Sequence, residues 1–160
     1  MRKNKGKMAV SLRLIAIITL AALTGFSFAA CGDADSGGGS ANSALNGTWV
    51  SSYERMDLNN GSITIFDGNT AILRGSYSTS GSNITVTLKE VHGALFGSEA
   101  VLFGLSTNQW YTQQQLKTAL GALFDPYAGQ FFQPMTGTYT LSGNTLIMTM
   151  NGQTDTFTRR

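Results

Sequence analysis

Few side chains in this 160-residue chain are equipped for chemistry, and the rarest types are the most informative. Cys31 is the single cysteine and His92 the single histidine. A lone cysteine has no disulfide partner, and its thiol is a nucleophile only as the thiolate, so the residues around Cys31 decide its use. These two residues supply too few ligands for a zinc site of the His and Cys type. No Gly-x-Ser-x-Gly elbow accompanies His92, so a Ser-His-Asp triad is not indicated, and next to Gly93 it reads as a surface loop residue. Of nine acids, Asp33 and Asp35 lie in a Gly/Ser stretch and the rest are scattered, with no spacing that marks an acid/base pair. The chain therefore reads as a non-enzyme, with no metal or cofactor expected.

Cys31 follows a distinctive segment. Arg2, Lys3, Lys5, Lys7 and Arg13 precede an apolar run over residues 14–23 that is broken only by Thr19. A basic head and a short apolar stretch form a secretory signal. A spanning helix needs about twenty apolar residues, so cleavage is expected rather than retention as an anchor. The run leads into Phe28-Ala29-Ala30-Cys31, two small residues before a cysteine. This resembles the lipobox of bacterial lipoprotein signals, with Phe28 standing where that pattern usually has Leu. The resemblance implies cleavage before Cys31 and a diacylglycerol on its sulfur, usually with an N-acyl chain. One acyl chain holds a protein only reversibly, whereas two or three anchor it stably. Gly32 is not the Asp-type inner-membrane retention signal, so the resemblance implies the outer membrane, on its periplasmic or surface face.

Residues 32–43 are mostly Gly, Ser, Ala, Asp and Asn, the composition of a flexible tether. The organisation read from sequence is thus a signal over 1–30, a lipidated Cys31 with its tether over 31–44, and one domain over 45–160. Five of the eleven Lys and Arg leave with the signal while all nine acids stay, making the mature chain acidic. It has no basic patch from which to infer nucleic-acid binding.

From Leu45 onward, segments rich in Thr, Val, Ile, Tyr and Phe are separated by turn formers. Asn59-Asn60-Gly61, Asp67-Gly68-Asn69, Ser80-Gly81, Ser142-Gly143-Asn144 and Asn151-Gly152 supply the positive φ angles that tight hairpins need. Ile84, Val86 and Leu88 alternate with polar residues, as do Leu146, Met148 and Met150, and Ile63 and Ile65. Period two marks half-buried strands. The pattern predicts strands over 47–56, 61–66, 70–78, 82–91, 136–141, 145–150 and 153–159, with an eighth within 94–105. Residues 75–87 and 137–149 share a strand, Ser-Gly turn and strand, which turn chemistry common to one fold explains. Successive hairpins expose edges unless the sheet closes. The expected fold is all-β, a small antiparallel meander barrel of about seven or eight strands.

The first strand opens Asn46-Gly47-Thr48-Trp49, and the last ends Phe157-Thr158-Arg159. Together these resemble the lipocalin and wider calycin pattern, as found in bacterial lipocalin-like lipoprotein domains. The resemblance covers Leu45 to Val91 and Thr136 to Arg160, without the second lipocalin motif. It implies that Trp49 closes the barrel floor beneath Arg159, a cation over an indole face worth about 0.5–2 kcal/mol. It also implies an interior, lined by Ile84, Val86, Leu88, Leu146 and Met148, that holds a small apolar ligand.

Residues 92–135 interrupt the meander. Thr112 and Gln115 form a capping box, with Tyr111 and Leu116 as a hydrophobic staple. A helix is predicted from Thr112, with Leu116, Ala119, Leu120 and Leu123 on its apolar face and Asp125-Pro126 at its end. This insert either packs over one barrel end as ordinary core or acts as a lid. Two functions fit the sequence. One is a membrane-anchored binder of a small apolar molecule. The other is an envelope structural or interaction module that contacts envelope or host proteins through its surface, its barrel filled by side chains, as eight strands permit.

Overall fold

The computed structural model describes residues 41–160. The expected signal, Cys31 and most of the tether lie outside the described residues. Turn chemistry sets the strand boundaries. Asn60 and Gly61 adopt φ of +46° and +84°, and Asn151 and Gly152 +51° and +77°, two-residue turns whose twist matches that of the strands they join. They separate β2 (Arg55–Asn59) from β3 (Ser62–Asp67) and β8 (Thr145–Met150) from β9 (Gln153–Arg159). Gly81 and Gly143, both at +57°, do the same between β4 (Thr70–Ser80) and β5 (Asn83–His92) and between β7 (Met135–Ser142) and β8.

With β1 (Gly47–Val50), eight strands pair antiparallel in the order β1-β2-β3-β4-β5-β7-β8-β9, and β9 returns to β1, giving a closed barrel. The ninth strand, β6 (Trp110–Thr112), lies outside the ring against the end of β5, whose earlier residues Asn83 to Val86 pair with β7. Closure leaves the ring without a free edge.

Period two decides what faces inward. Met56 and Leu58, Ile84, Val86 and Leu88, and Leu146 and Met148 are all buried in one core with Trp49 and Phe157. One end of the barrel is a floor built from the 3-10 turn Ser43–Leu45, the hairpin turns after β2, β4 and β7, and the C-terminus. Trp49 is fully buried there, directly across the ladder from Arg159, and its Nε1 donates to the Leu45 carbonyl at 2.7 Å. The Arg159 guanidinium lies 4.6 Å from the indole centroid and donates to the Ala44 carbonyl. Gly47 takes φ +145°, which favours glycine, and the Arg159 stem runs alongside it, 3.6 Å from where a Cβ would lie.

Three sequence expectations are corrected. The strand predicted over 47–56 is two strands, because Ser51 Oγ accepts from the Tyr53 and Glu54 amides and bends the chain between β1 and β2. The strand sought within 94–105 is instead 3-10 helical, Gly93–Phe103, broken at Gly97 with φ +53°. The helix begins as predicted, with Thr112 as N-cap and the box to Gln115 formed, but α1 (Gln113–Leu120) stops at Gly121, φ +55°, ahead of Asp125-Pro126. Pro126 sits within a second short helix, α2 (Phe124–Tyr127), in the first turn, where its missing N–H costs no helical bond. Ala119 and Leu123, expected on the apolar face, are exposed.

The insert, 93–134, packs at the barrel end opposite the floor. Tyr111, Leu116, Leu120, Phe124, Phe131 and Phe132 join the barrel core. On the outside, Arg74 stacks 4.0 Å from the Trp110 ring and pairs with Glu90 at 3.9 Å, while His92 meets Trp110 edge-on at 4.9 Å. His92, expected beside Gly93 at the end of a strand, is the last residue of β5 and caps the following turn by accepting from the Ala94 amide.

Two substitutions test this framework in urea titrations. Gly137→Ala places a methyl 2.1 Å from the Thr149 carbonyl oxygen, and a loss of about 1–3 kcal/mol is expected. Arg159→Met keeps an apolar stem but removes the cation from Trp49, and should cost about 1–2 kcal/mol, with the Trp fluorescence shifted in the native baseline.

Candidate ligand cavity

The upper barrel end, opposite the floor, carries the bend between β1 and β2 and the turn between β8 and β9. β1 stops at Val50 and pairs with β9 only at Trp49–Arg159 and Val50–Thr158. Above those pairs the inward positions of β9 continue through Phe157, Asp155 and Gln153, while Glu54 leads into β2 on the same parity as Met56 and Leu58.

An apolar cavity of about 100 Å³ opens between them. Its wall includes Val86, Phe157, Ile63, Ile65 and Leu73 and four methionines, Met56, Met135, Met148 and Met150. The chain's other two methionines, Met1 and Met8, lie in the expected signal, so every methionine of the expected mature chain faces this space. Flexible thioethers adapt their shape to small occupants, which stiff branched side chains do less well. Glu54, Asp155, Gln153 and Asn151 add the polar part of the wall.

Electrostatics at this wall are unusual. Burial, together with the nearby Asp155 charge, pushes the Glu54 carboxyl up to about 7. Neither carboxylate has a hydrogen-bond or ion-pair partner among the described residues. The wall has no Ser, Thr, Cys, His, Lys or Tyr, so it offers no nucleophile and no base other than the carboxylates. No three His, Cys, Asp or Glu residues lie close enough to hold a metal among the described residues.

Of the five lining residues expected from sequence, the structure places Val86 and Met148 on the cavity wall. Ile84, Leu88 and Leu146 face inward as well, at 1%, 2% and 0% exposure, but lie in the packed core away from the cavity. Trp49 and Arg159 come together at the floor, and Cys31 lies outside the described residues. Sequence reasoning missed Glu54 and Asp155. The available signal was parity, since Asp155 alternates in step with Phe157 and Arg159, and Glu54 with Met56 and Leu58.

No protein-family model matches the chain. The comparison with curated proteins finds no match either. Among solved structures, the chain is similar to an uncharacterized protein from Bacteroides eggerthii, at 13% identity and a TM-score of 0.44, over 72% of this chain and 98% of that one.

The raised Glu54 carboxyl makes a signed prediction. Below about pH 4.5 the group is protonated in folded and unfolded chains alike, and from there to about 7 only the unfolded chain ionises, so stability falls as pH rises through this window. Glu54→Gln removes that loss. After allowance for its partial exposure, the variant should gain roughly 1–3 kcal/mol over the parent at pH 8, and the gap should close by pH 4.5. Thermal melts at the two pH values measure it.

Proposed function

We propose that this chain is a lipid-anchored cell-envelope protein whose barrel is a non-enzymatic binding module for a small apolar ligand. The observation that carries the binding reading is the cavity, an apolar space at the upper end of an otherwise packed barrel. Its volume of about 100 Å³ limits the occupant. Pockets for drug-sized ligands begin near 300 Å³, and a cavity of about 150 Å³ takes benzene. The ligand is accordingly a short alkyl or branched alkyl group, not a whole fatty acid.

The anchor rests on Phe28-Ala29-Ala30-Cys31 and on the absence of any other cysteine. Lipid on Cys31 would tie the barrel to a membrane, with the outer membrane favoured by Gly32. Among the described residues no helix is long and apolar enough to cross a bilayer. The N-terminal side of the domain meets the barrel at its floor, where the Asn42 side chain donates to Tyr139 Oη and its amide to Thr79 Oγ1. A tether entering there leaves the cavity end facing away from the attachment point.

A second reading is favoured by a specific surface. Val101 and Leu102, neighbours in the insert, are 76% and 81% exposed. With the lower barrel filled by side chains, they suit an interaction module that contacts an envelope or host protein.

Two measurements decide between these readings and test the anchor. Isotope-labelled methionine methyls report directly on the cavity. Titration with isopentyl alcohol should shift the signals of Met56, Met135, Met148 and Met150 saturably, and Val86→Phe should abolish the response. Methyl signals that stay flat with millimolar alcohol and with isopentylamine alike would sink the binder and leave the interaction module. Separately, Cys31→Ser should move the protein from the membrane to the soluble envelope fraction, and unchanged partitioning would overturn the lipoprotein reading.

A further inference from the structure

The wall of the cavity is chemically divided, and the division carries information about what it holds. Below lie thioethers and aliphatic groups, the compact apolar part. On one side, where β1 ends and β9 continues, Glu54 and Asp155 stand on inward-facing positions, their carboxylates without a partner among the described residues. Elsewhere in the barrel, inward acids are absent and charged pairs form on the outside, as in Arg55–Asp57 at 3.8 Å and Arg74–Glu90 at 3.9 Å.

Two like charges brought together out of bulk water raise the energy of the empty site. A group that relieves them must be positive, must donate hydrogen bonds to carboxylate oxygens, and must leave an apolar body for the methionines. A metal cation satisfies the charge but has no use for the apolar wall. A neutral hydrocarbon fits the wall but leaves the carboxylates unpaired. A protonated alkylamine meets both demands, its ammonium donating to the acids through charge-assisted bonds and its alkyl body displacing cavity water against the thioethers. Phe157 adds an aromatic wall on the same strand as Asp155.

We infer that the cavity selects a small alkylammonium ion, held by Glu54 and Asp155 at its head and by Met56, Met148 and Met150 around its body. This rests on the small-ligand reading above and names the chemical class of that ligand. Binding is non-covalent and reversible, with no bond made or broken. The space excludes long-chain amines, and the carboxylates discriminate against alcohols and acids of the same shape.

The test uses the full chain with labelled methionine methyls and two probes of nearly equal shape, isopentylamine and isopentyl alcohol, at pH 8. The amine is expected to saturate the methyl shifts at a concentration about tenfold lower than the alcohol. Asp155→Asn, and Glu54→Gln as a second variant, should each weaken the amine more than the alcohol and bring the two probes toward equal affinity. The retained methyl spectrum shows that each variant is folded. Equal binding of both probes by the parent would overturn the inference while upholding the small-ligand reading. An amine preference that survives both substitutions would also overturn it, since the carboxylates would not be its source. Failure of both probes to shift any methyl would remove both readings together.

Discussion

The barrel closes through a seam of two residue pairs, Trp49–Arg159 and Val50–Thr158, and the geometry of both barrel ends follows from how short that seam is. Ladder hydrogen bonds alone make a weak junction over so few residues, so side chains reinforce it. Trp49 anchors β1 from within through its bond to the Leu45 carbonyl, and Arg159 crosses the seam to stack on the indole and reach the Ala44 carbonyl. One arginine thereby ties the last strand, the first strand and the segment before it. Gly47 belongs to the same lock through its backbone, because its φ of +145° is one that L side chains rarely adopt. The buried indole spends its one N–H on the Leu45 carbonyl, which lets a large aromatic plug the floor with its own donor satisfied.

The same brevity produces the cavity. β1 ends after four residues because Ser51 turns the chain, while β9 extends toward the opposite end as far as Gln153. Where β1 is missing, the inward side chains of β9 and of the β2 entry face one another without an intervening strand. Filling elsewhere is thorough, since eight strands enclose a width that side chains can occupy. Close strand approaches at Gly75 and Gly137, where a Cβ would collide with neighbouring carbonyls, keep the rest of the barrel tight. The insert then packs Tyr111, Leu116 and its phenylalanines into the upper core, so the space that remains is small and lies to the β1/β9 side.

Much of this was legible in the sequence because the signals are local. Asn60-Gly61 and Asn151-Gly152 demand positive φ, so the hairpins and the ends of β8 and β9 could be placed closely. Thr112 and Gln115 fixed the start of α1 for the same reason. The bend after β1 was hidden because a serine hydroxyl makes it, and serine also suits a strand of this composition. Residues 94–103 have strand-like apolar content but no sustained alternation, and Gly97 gives them a backbone no strand would keep. For the interior, alternation distinguishes in from out but says nothing about height along the barrel axis. Ile84 and Val86 lie on the same face of β5, yet only Val86 reaches the cavity. Height depends on strand stagger, which the pairing register sets and a single strand does not encode.

Glu54 and Asp155 show where local rules and the fold part company. Strand parity points both positions inward, next to Met56 and Phe157 on the same faces, and each carries a carboxylate instead. Folding gains nothing from them, because desolvation and mutual repulsion hold one carboxyl protonated up to about 7 and disfavour the folded chain once it ionises. Asp57 and Glu90 are half-buried too, but on the outer face of the barrel, where each sits beside an arginine. Two carboxylates on inward positions, one of them at a cost to folding, converge on the gap left by a short strand, which is not the mark of random surface drift. Natural sequences violate their own consistency chiefly where something must bind, and here the violation lies on the wall of the cavity that the β1/β9 seam leaves open.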